Sequence, residues 1–278
     1  MSASRAFSKY VGAGNDFLFF DARDEPFRRP PRSALAARLC DRHFGLGADG
    51  AVFVERSVKA GVDLRWDFFN SDGSSAEMCG NAARCLVRWA HDRLGLATVS
   101  FETQAGVVTG AVSGAAPETI MVELPFVARE ARKLSVDLGP GRTATPVWLF
   151  DTGVPHAVLE VPAIAEARTD PAAVKRLRGL VEAGPRGANV TFFSRADGAG
   201  RIESVTFERG VEGFTLACGT GVIASALAAL DGGSGAQAAV TVPGGTLDVS
   251  FEGARPGVVL SGPADFVYEG EFAGGFLR

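Results

Sequence analysis

The stretch from Phe207 to Leu230, FERGVEGFTLACGTGVIASALAAL, decides the fold of this 278-residue chain. Charged residues and glycines lead into Ala-Cys-Gly-Thr-Gly at 217–221, and an apolar run of alanine, leucine, isoleucine and valine follows. A glycine-bearing bend before such a run predicts a loop that turns into a helix. Because this run is apolar nearly all round, the helix over 220–230 is expected to be buried on all sides.

The position of Cys218, just before this helix, gives its thiol a chemical setting. The first N–H groups of a helix have no partner within the helix, and the helix dipole favours negative charge there. A thiol at this place is favoured in its ionised, reactive form, and the same N–H groups can hold a carboxylate. The alternative interpretation is a small buried cysteine in a tight turn, the ordinary state of a core cysteine.

A second copy of the pattern favours the reactive interpretation. Residues 69–90, FNSDGSSAEMCGNAARCLVRWA, pass from a strand-like run to Met-Cys-Gly-Asn and then to a helical pattern. Five landmarks recur at offsets between 138 and 140 residues: Asn15 with Val154, Asp49 with Asn189, Asn70 with Glu208, Cys79 with Cys218, and Gln104 with Pro243. An internal repeat of this length predicts two similar units, each with one cysteine before a helix.

Two cysteines at equivalent positions indicate proton transfer at a carbon atom. If the two units face each other, one sulfur as thiolate removes a proton, and the other as thiol returns a proton to the opposite face. Such groups work best when their pKa values lie near the working pH. The amides of Gly80–Asn81 and Gly219–Thr220 are placed to stabilise the negative charge that develops on an adjacent carboxylate. The sequence leaves open which cysteine is the base for which isomer.

These motifs together resemble the diaminopimelate epimerase family from end to end. They are Lys-Tyr-x-Gly-x-Gly-Asn-Asp-Phe at 9–17, Asp-Arg-His-Phe-Gly-x-Gly-Ala-Asp-Gly at 41–50, Phe-Asn-x-Asp-Gly-Ser-x-Ala-Glu-Met-Cys-Gly-Asn at 69–81, Glu-Arg-Gly and Ala-Cys-Gly-Thr-Gly within 208–221, Val-Pro-Gly-Gly at 242–245 and Val-Tyr-Glu-Gly at 267–270. The resemblance implies cofactor-independent interconversion of LL- and meso-diaminopimelate, feeding lysine and peptidoglycan synthesis. It implies that Cys79 and Cys218 are the acid and the base.

The resemblance also implies a fold and a domain organisation. The fold is α+β, with two pseudo-symmetric domains, each a curved, barrel-like antiparallel or mixed sheet wrapped around a central helix. We place the first domain at 1–128, with a C-terminal strand over 264–278 returning to it, and the second at 129–263. Tyr268 matches a dimer-contact position, so a homodimer is expected; an ordinary strand aromatic is the alternative.

Further site residues follow from the resemblance, position by position. His156 and Glu208 are expected to adjust the pKa values of the cysteines. The expected substrate-binding residues are Asn15, Asn70, Gly80, Asn81, Asn189, Glu208, Arg209, Gly219 and Thr220. Two positions depart from the family pattern: Val154 replaces an asparagine that touches substrate, and Gly50 stands where some members carry glutamine. A valine side chain neither donates nor accepts a hydrogen bond, so Val154 bears on the choice of substrate.

Composition and length limit the class of protein. The chain is 46% hydrophobic and 22% charged with a net charge of −4, and it has no basic run that would indicate nucleic-acid or membrane binding. The N-terminus lacks an apolar signal-peptide core, and the four cysteines lack disulfide-framework or metal-site spacing. We therefore expect no metal, reduced thiols and a cytoplasmic location. Cys40 and Cys85 are expected to pack in the core, within or beside helices.

Local patterns predict the remaining elements and leave alternatives open. Amphipathic patterns predict helices over 32–42 and 171–183, and alternating apolar residues predict hairpins over 98–124. One alternative function is a racemase or epimerase of the same fold, independent of pyridoxal phosphate, that acts on another amino acid. A second is a non-catalytic amino-acid-binding protein, although binding alone does not need paired thiols.

Overall fold

Short strands alternate with a few helices along the chain. A computed structural model describes residues 5–24, 27, 31–114, 119–124, 127–139, 144–196, 201–231, 237–251 and 257–272. The strands are β1 (Arg5–Gly12), β2 (Asn15–Asp21), β3 (Gly50–Arg56), β4 (Leu64–Asn70), β5 (Thr98–Thr103), β6 (Gly106–Val112), β7 (Ile120–Leu124), β8 (Arg132–Val136), β9 (Thr145–Asp151), β10 (Pro155–Glu160), β11 (Asn189–Ala196), β12 (Arg201–Glu208), β13 (Gly213–Phe214), β14 (Gln237–Val242), β15 (Gly245–Ser250), β16 (Val258–Gly262) and β17 (Asp265–Phe272). The helices are α1 (Arg32–Cys40), α2 (Gly80–Leu94), α3 (Ile164–Ala167), α4 (Pro171–Arg178) and α5 (Gly219–Ala229), with a 3₁₀ turn at Val181–Ala183.

The chain divides into two compact units. Unit 1 is Met1–Val122 with Gly262–Arg278, and unit 2 is Glu123–Ser261. The C-terminal strand β17 therefore belongs to unit 1. Of the predicted C-terminal strand over 264–278, residues 273–278 lie outside the described part of the chain. The domain boundaries at 128/129 and 263/264 stay a prediction.

The sheet of unit 1 follows the order β17, β1, β2, β3, β4, β5, β6. Neighbouring strands are antiparallel except for β2 with β3 and β4 with β5, which are parallel. In this register Phe17 of β2 stands opposite Gly50 of β3, and Gly50 stands opposite Asn70 of β4. The end of β4 and the start of β2 and β3 therefore lie at one edge of the sheet, where the predicted site residues occur.

Unit 2 repeats this sheet with the same order and the same strand directions. The order is β8, β9, β10, β11, β12, β14, β15, with parallel pairs at β10 with β11 and β12 with β14. An antiparallel strand, β16, continues it beside β15. His156 of β10 pairs with Asn189 of β11, each 139 positions after Phe17 and Gly50. The repeat found in the sequence is thus a repeat of topology and register.

One central helix lies against the sheet in each unit, amphipathic in unit 1 and apolar in unit 2. Helix α2 contacts β17, β1 and β2 near one end of the unit 1 sheet and β5 and β6 at the other, so the sheet curves around it. Helix α5 in the same way contacts β10, β11, β12, β14 and β15. The predicted fold class, α+β with a curved mixed sheet around a central helix, is confirmed.

Strand β2 shows why its sequence carries apolar residues at successive positions. Leu18 and Phe20 belong to the cluster that packs against α1, whereas Phe19 stacks on Trp89 of α2 with ring centroids 6.4 Å apart. Alternate side chains of a strand point to opposite faces. Both faces of β2 are therefore covered, and the run Phe17–Phe20 is at most 2% exposed throughout.

The predicted helices differ from the observed ones mainly at their ends. Helix α5 begins at Gly219 and ends at Ala229, close to the predicted 220–230. The helix predicted over 171–183 is wrong in its second half, because α4 ends at Arg178 and Gly179 follows as its C-cap. The 3₁₀ turn Val181–Ala183 then replaces the expected last helical turn. No helix within the described ranges is long and apolar enough to cross a membrane.

Candidate active site

Cys79 and Cys218 occupy the same place in their units, immediately before the first turn of the central helix. Both have an extended backbone, with φ −147° and ψ 117° at Cys79 and φ −122° and ψ 108° at Cys218. Each carbonyl accepts the first helical hydrogen bond at 2.9 Å, from Ala83 in α2 and from Val222 in α5. Cys79 is partly buried and Cys218 is 9% exposed. Both thiols thus belong to residues where a helix stabilises negative charge.

In unit 1, two predicted substrate residues are bonded to each other. The Asn81 Nδ2 donates to Asn15 Oδ1, and Asn15 Nδ2 donates to Asp49 Oδ2 at 3.0 Å. Asn81 is the second residue of α2 and is 1% exposed. The bond places the turn between β1 and β2 beside the first turn of α2. Asn15 therefore uses its side chain across the unit instead of on its own turn.

A guanidinium lies beneath this first helical turn. Arg84 of α2 is fully buried and donates to Asn81 Oδ1 at 2.8 Å, to Gly80 O at 3.3 Å and to Pro263 O at 3.4 Å. Burial lowers the pKa of Arg84 to about 10, while negative charge on Cys85 or Cys79 would act in the opposite direction. Arg84 therefore stays cationic at neutral pH, within electrostatic range of Cys79. Sequence reasoning did not find Arg84, which the structure places among the buried residues of α2.

Asp49 connects the asparagine pair to a charged cluster. Arg42 donates to Asp49 Oδ1 at 2.8 Å and to both carboxylate oxygens of Asp16, and Lys9 pairs with Asp16 at 2.8 Å. Burial opposes the ionisation of Asp16, but the hydrogen bonds from Arg42 and Lys9 outweigh it and lower the pKa of Asp16 to about 2. These ion pairs hold the Asp49 carboxylate in place against Asn15. They were not predicted as part of the site.

In unit 2, fully buried His156 lies beside the first turn of α5. Its Nε2 lies 2.9 Å from Thr220 Oγ1, and Thr220 Oγ1 lies 3.4 Å from Cys218 Sγ. Burial lowers the pKa of His156 to about 3, and the positive charge of Arg209 acts in the same direction. The imidazole is therefore neutral at neutral pH. It reaches Cys218 through one threonine hydroxyl and acts by hydrogen bonding, without a charge of its own.

Asn189 joins His156 to Arg209, which the sequence predicts as a substrate-binding residue. Its Oδ1 accepts from the Arg209 backbone N–H at 2.8 Å, and its Nδ2 lies 3.3 Å from His156 Nε2. The Arg209 Nη1 donates to Gly187 O at 3.0 Å. Glu208, at the end of β12, accepts a hydrogen bond from the Thr215 hydroxyl. Four predicted residues, Cys218, Thr220, His156 and Asn189, thus form one bonded network with the Arg209 backbone.

The network continues to two threonines that sequence reasoning missed. Thr191 Oγ1 lies 2.8 Å from His156 Nδ1 and 3.1 Å from Thr206 Oγ1. Thr191 shares a strand face with Asn189 and stands opposite Thr206 in the register of β11 and β12. A Cβ on Gly221 would lie 2.2 Å from Thr206 Oγ1, so the last glycine of Ala-Cys-Gly-Thr-Gly leaves room for these hydroxyls.

The remaining predicted positions lie at the edges of these two clusters. Asn70 is exposed at the end of β4, where its Nδ2 donates to Ser74 Oγ at 3.0 Å. A Cβ on Gly50 would lie 2.7 Å from the Phe68 ring and 2.8 Å from Phe69 O, so a side chain there requires a shift of its neighbours. Val154 is partly buried in the bend just before β10.

The other two cysteines lie in the core, and Tyr268 lies on strand β17. Cys40 and Cys85 are at most 2% exposed, as expected for core residues. Burial raises the pKa of both thiols, to about 12 for Cys40. Tyr268 of β17 is 40% exposed and packs edge-on against Phe7, with ring centroids 5.8 Å apart. Among the described residues, no cluster of three or more histidine, cysteine, aspartate or glutamate side chains could hold a metal ion.

Comparison with known families covers both halves of the chain. The family model described as diaminopimelate epimerase matches residues 7–124 and 148–267, and each range contains one of the two helix-capping cysteines. The chain belongs to the diaminopimelate epimerase family. The resemblance inferred from the motifs is thereby confirmed.

Individual relatives extend over almost the whole chain. The diaminopimelate epimerase of Xylella fastidiosa (strain M23) is 36% identical over 282 aligned positions, covering 96% of both chains. Two solved structures share the fold at 14% identity: a phenazine biosynthesis protein of the PhzF family from Bacillus anthracis, with a TM-score of 0.72, and a hydroxyproline epimerase from Agrobacterium vitis, with a TM-score of 0.67. The first alignment covers 98% of this chain and 99% of the other, and the second covers 98% and 94%. At this identity they support the fold alone.

Proposed function

We propose that this chain interconverts LL- and meso-2,6-diaminopimelate without a cofactor, with Cys79 and Cys218 alternating as thiolate base and thiol acid. The observation that carries the proposal is the equivalent placement of the two cysteines, each capping the central helix of its unit. Membership in the diaminopimelate epimerase family supports the substrate. The product would supply the synthesis of lysine and of peptidoglycan precursors, and we expect the chain to act in the cytoplasm.

In the proposed reaction, one thiolate removes the α-proton and the other thiol delivers a proton to the opposite face of the same carbon. The charge of the carbanion spreads onto the neighbouring carboxylate. Amides of Gly80 and Asn81, and of Gly219 and Thr220, belong to the first turns of α2 and α5 and would stabilise that charge. After each turnover the two sulfurs have exchanged protonation states, so each must be stable both as thiol and as thiolate.

The far end of diaminopimelate carries a second amine and carboxylate. We assign their recognition to Asn15, Asn70, Asn189 and Arg209. Arg209 suits a carboxylate because its planar guanidinium can bind both oxygens, and the bond to Gly187 helps to fix its position. Asn15 and Asn189 are each already oriented by hydrogen bonds to neighbouring residues. Glu208 and His156 would adjust the acidity of the thiols from within unit 2.

Proton exchange in heavy water tests the reaction directly. LL-diaminopimelate incubated with the chain in ²H₂O, without added cofactor, should gain deuterium at an α-carbon as the meso isomer appears. We expect Cys79→Ala and Cys218→Ala each to lower turnover by a factor of about a thousand, within the range measured for general acid–base groups. Cys40→Ala, which removes a core thiol, is the matched control and should stay near wild type. Near-normal turnover in either of the first two variants would refute the two-thiol mechanism.

Val154 favours one second candidate, a racemase or epimerase for another amino acid. The side chain offers no hydrogen bond where the common family pattern has asparagine. Turnover of LL-diaminopimelate should be compared with turnover of a panel of L-amino acids under the same conditions. A higher kcat/KM for any other amino acid would replace diaminopimelate as the substrate and leave the cysteine chemistry unchanged.

The exposed strand β17 supports a homodimer. Phe266, Val267 and Tyr268 are successive residues of β17 and are 40–48% exposed. Apolar side chains grouped at a surface are typical of a protein interface. Light scattering of the full chain should give twice the monomer mass, and Tyr268→Glu should shift the equilibrium towards monomer. A wild-type monomer at micromolar concentration would contradict this part of the proposal.

A further inference from the structure

The hydrogen bonds around His156 determine which of its nitrogens carries the proton. The Arg209 backbone N–H can only donate, so the Asn189 oxygen that it contacts at 2.8 Å must be Oδ1. The other end of that amide, Nδ2, therefore points its hydrogens towards His156 Nε2, 3.3 Å away. Because an amide N–H needs an acceptor, Nε2 is unprotonated. Since His156 is neutral, the proton lies on Nδ1 and is donated to Thr191 Oγ1 at 2.8 Å.

This tautomer fixes the direction of the remaining bonds. Thr191 accepts from the imidazole and can donate its own hydrogen to Thr206 Oγ1 at 3.1 Å. On the other side, Thr220 must be the donor to the unprotonated Nε2 at 2.9 Å. Its oxygen then presents lone pairs to Cys218 Sγ at 3.4 Å, and the thiol can donate to it. When Cys218 is a thiol, each hydrogen bond from Cys218 to Thr206 therefore has one donor and one acceptor.

A thiolate at Cys218 requires only one change in this arrangement. The Thr220 hydroxyl rotates and donates its hydrogen to the sulfur, while Oγ1 and all other atoms stay in place. His156 Nε2 then keeps the Asn189 N–H as its donor, so no buried acceptor is left without a partner. No proton leaves the imidazole, and no hydrogen bond other than that of Thr220 has to reverse. Each of the two states of Cys218 is therefore matched by one position of a single hydroxyl.

We propose that Thr191 and Thr206 are positioning residues for Cys218, because they hold His156 in the Nδ1–H tautomer. The Thr220 hydroxyl then donates its hydrogen to His156 when Cys218 is a thiol, and to Cys218 when Cys218 is a thiolate. The inference rests on the proposed function, because only a cysteine that alternates between acid and base needs both states. Gly221 is needed for the same hydrogen-bond network, because a side chain there would displace the Thr206 hydroxyl.

Nitrogen-15 NMR of the full chain tests the tautomer without any substrate. In the wild type at pH 7 we expect the two His156 nitrogen shifts of a neutral ring protonated on Nδ1. Thr191→Val removes the acceptor of that proton while keeping the side-chain volume, and it should shift the ring towards the Nε2–H form. Thr191→Ser restores a hydroxyl and should restore the wild-type spectrum. A wild-type ring protonated on Nε2, or a Thr191→Val spectrum identical to the wild type, would overturn the proposal.

Alkylation of the thiols at pH 7 gives a second measurement with an internal control. With His156 protonated on Nε2, the ring donates to Thr220 and the threonine hydrogen is directed permanently to the sulfur. Cys218 in Thr191→Val should therefore react with iodoacetamide about threefold to tenfold faster, the effect of one hydrogen bond, whereas Cys79 in the same chain should not change. Equal changes at both cysteines, or none at Cys218, would contradict the proposal. Wild-type spectra as expected in a chain without diaminopimelate turnover would support the tautomer and refute the proposed function.

Discussion

The N-termini of the two central helices have the same backbone conformation, but the polar side chains around them differ. In unit 2 the network around Cys218 uses His156, Thr191 and Thr206. The residues at the repeat-equivalent positions of unit 1 are all apolar: Phe17, Val52 and Phe68, of which Phe17 and Phe68 pack with ring centroids 6.0 Å apart.

At another position, unit 1 has the charged residue and unit 2 has the apolar one. Arg84, the buried cation beneath the Cys79 turn, has Ile223 as its equivalent in α5, and both are fully buried. One thiol thus has a buried positive charge nearby, while the other has a neutral imidazole and three hydroxyls. The strand repeat fixes where the sulfurs stand in each unit, and the side chains beneath them vary independently. Two thiols in equivalent positions can therefore have different acidities.

The largest expected effect comes from placing the apolar residue of unit 1 at the equivalent position of unit 2. His156→Phe introduces the residue found at the equivalent position and leaves the hydroxyls of Thr191 and Thr220 without the imidazole between them. We expect the rate of deuterium incorporation to fall about a hundredfold, at the lower end of acid–base contributions.

The control for this variant is a change of similar size in the other unit. Phe17→Leu removes packing in unit 1, far in sequence from the network, and should change turnover by less than about threefold. If both variants lowered turnover equally, the difference between the two helix N-termini would have no catalytic meaning.

A second difference concerns stability in mild acid. The pKa of His156 is lowered from 6.5 to about 3 by burial, so between these values the unfolded chain binds a proton that the folded chain does not. Its stabilising contribution is present above pH 6.5 and is lost progressively as the pH falls towards 3. At pH 5 the loss relative to pH 7.5 should be about 2 kcal/mol.

Urea unfolding of wild type and His156→Gln at pH 7.5 and pH 5 measures how much His156 contributes to the pH dependence of the free energy of unfolding. The wild type should lose about 2 kcal/mol more than the variant over this interval. In unit 1 the lowered pKa of Asp16, about 2, gives stability that is present above 3.8 and is lost only as the pH falls through 2. A pH dependence that is the same in both proteins would show that the imidazole is protonated in the folded chain.

Sequence reasoning located the backbone of both clusters but not their full chemistry. The cysteines, His156, Asn189 and Thr220 were found because a repeat and family motifs mark them. Thr191 and Thr206 were missed because their contact depends on the register between β11 and β12, which a single sequence does not fix. Each is an ordinary strand threonine until that register is known.

Arg84 was missed for a different reason. A single arginine in a helix is usually exposed, and nothing local in the sequence shows that α2 is enclosed on this side as well. The short elements α3 and β13 were also absent from the prediction, because four and two residues give too little periodicity to recognise. The apolar pattern was sufficient for α5, whose residues are all buried except Thr220 and Ala229 near its ends.

A moderate effect should follow from removing the buried cation. Arg84→Met takes positive charge away from the surroundings of Cys79, so its thiolate loses stabilisation. At pH 7 the alkylation rate of Cys79 should fall about tenfold, which corresponds to about 1.4 kcal/mol, and that of Cys218 should stay the same. Arg84→Lys, which keeps the charge without the guanidinium fork, should retain part of the rate. A parallel fall at both cysteines would indicate loss of structure instead of loss of charge.

The smallest effect is expected at Val154, one of the positions where unit 2 lacks an amide that unit 1 has. Val154 is equivalent to Asn15, and Thr220 is equivalent to Asn81, so the Asn15–Asn81 bond of unit 1 has no counterpart there. Val154→Asn would place an amide in the bend before β10, where the family resemblance implies an asparagine that touches substrate. If diaminopimelate is the substrate, one added hydrogen bond should lower its KM about threefold with little change in kcat. Initial rates over a range of LL-diaminopimelate concentrations separate the two constants. A KM that rises instead would show that the bend is adapted to an apolar group, and the search for a different amino-acid substrate would then begin with that variant and the wild type side by side.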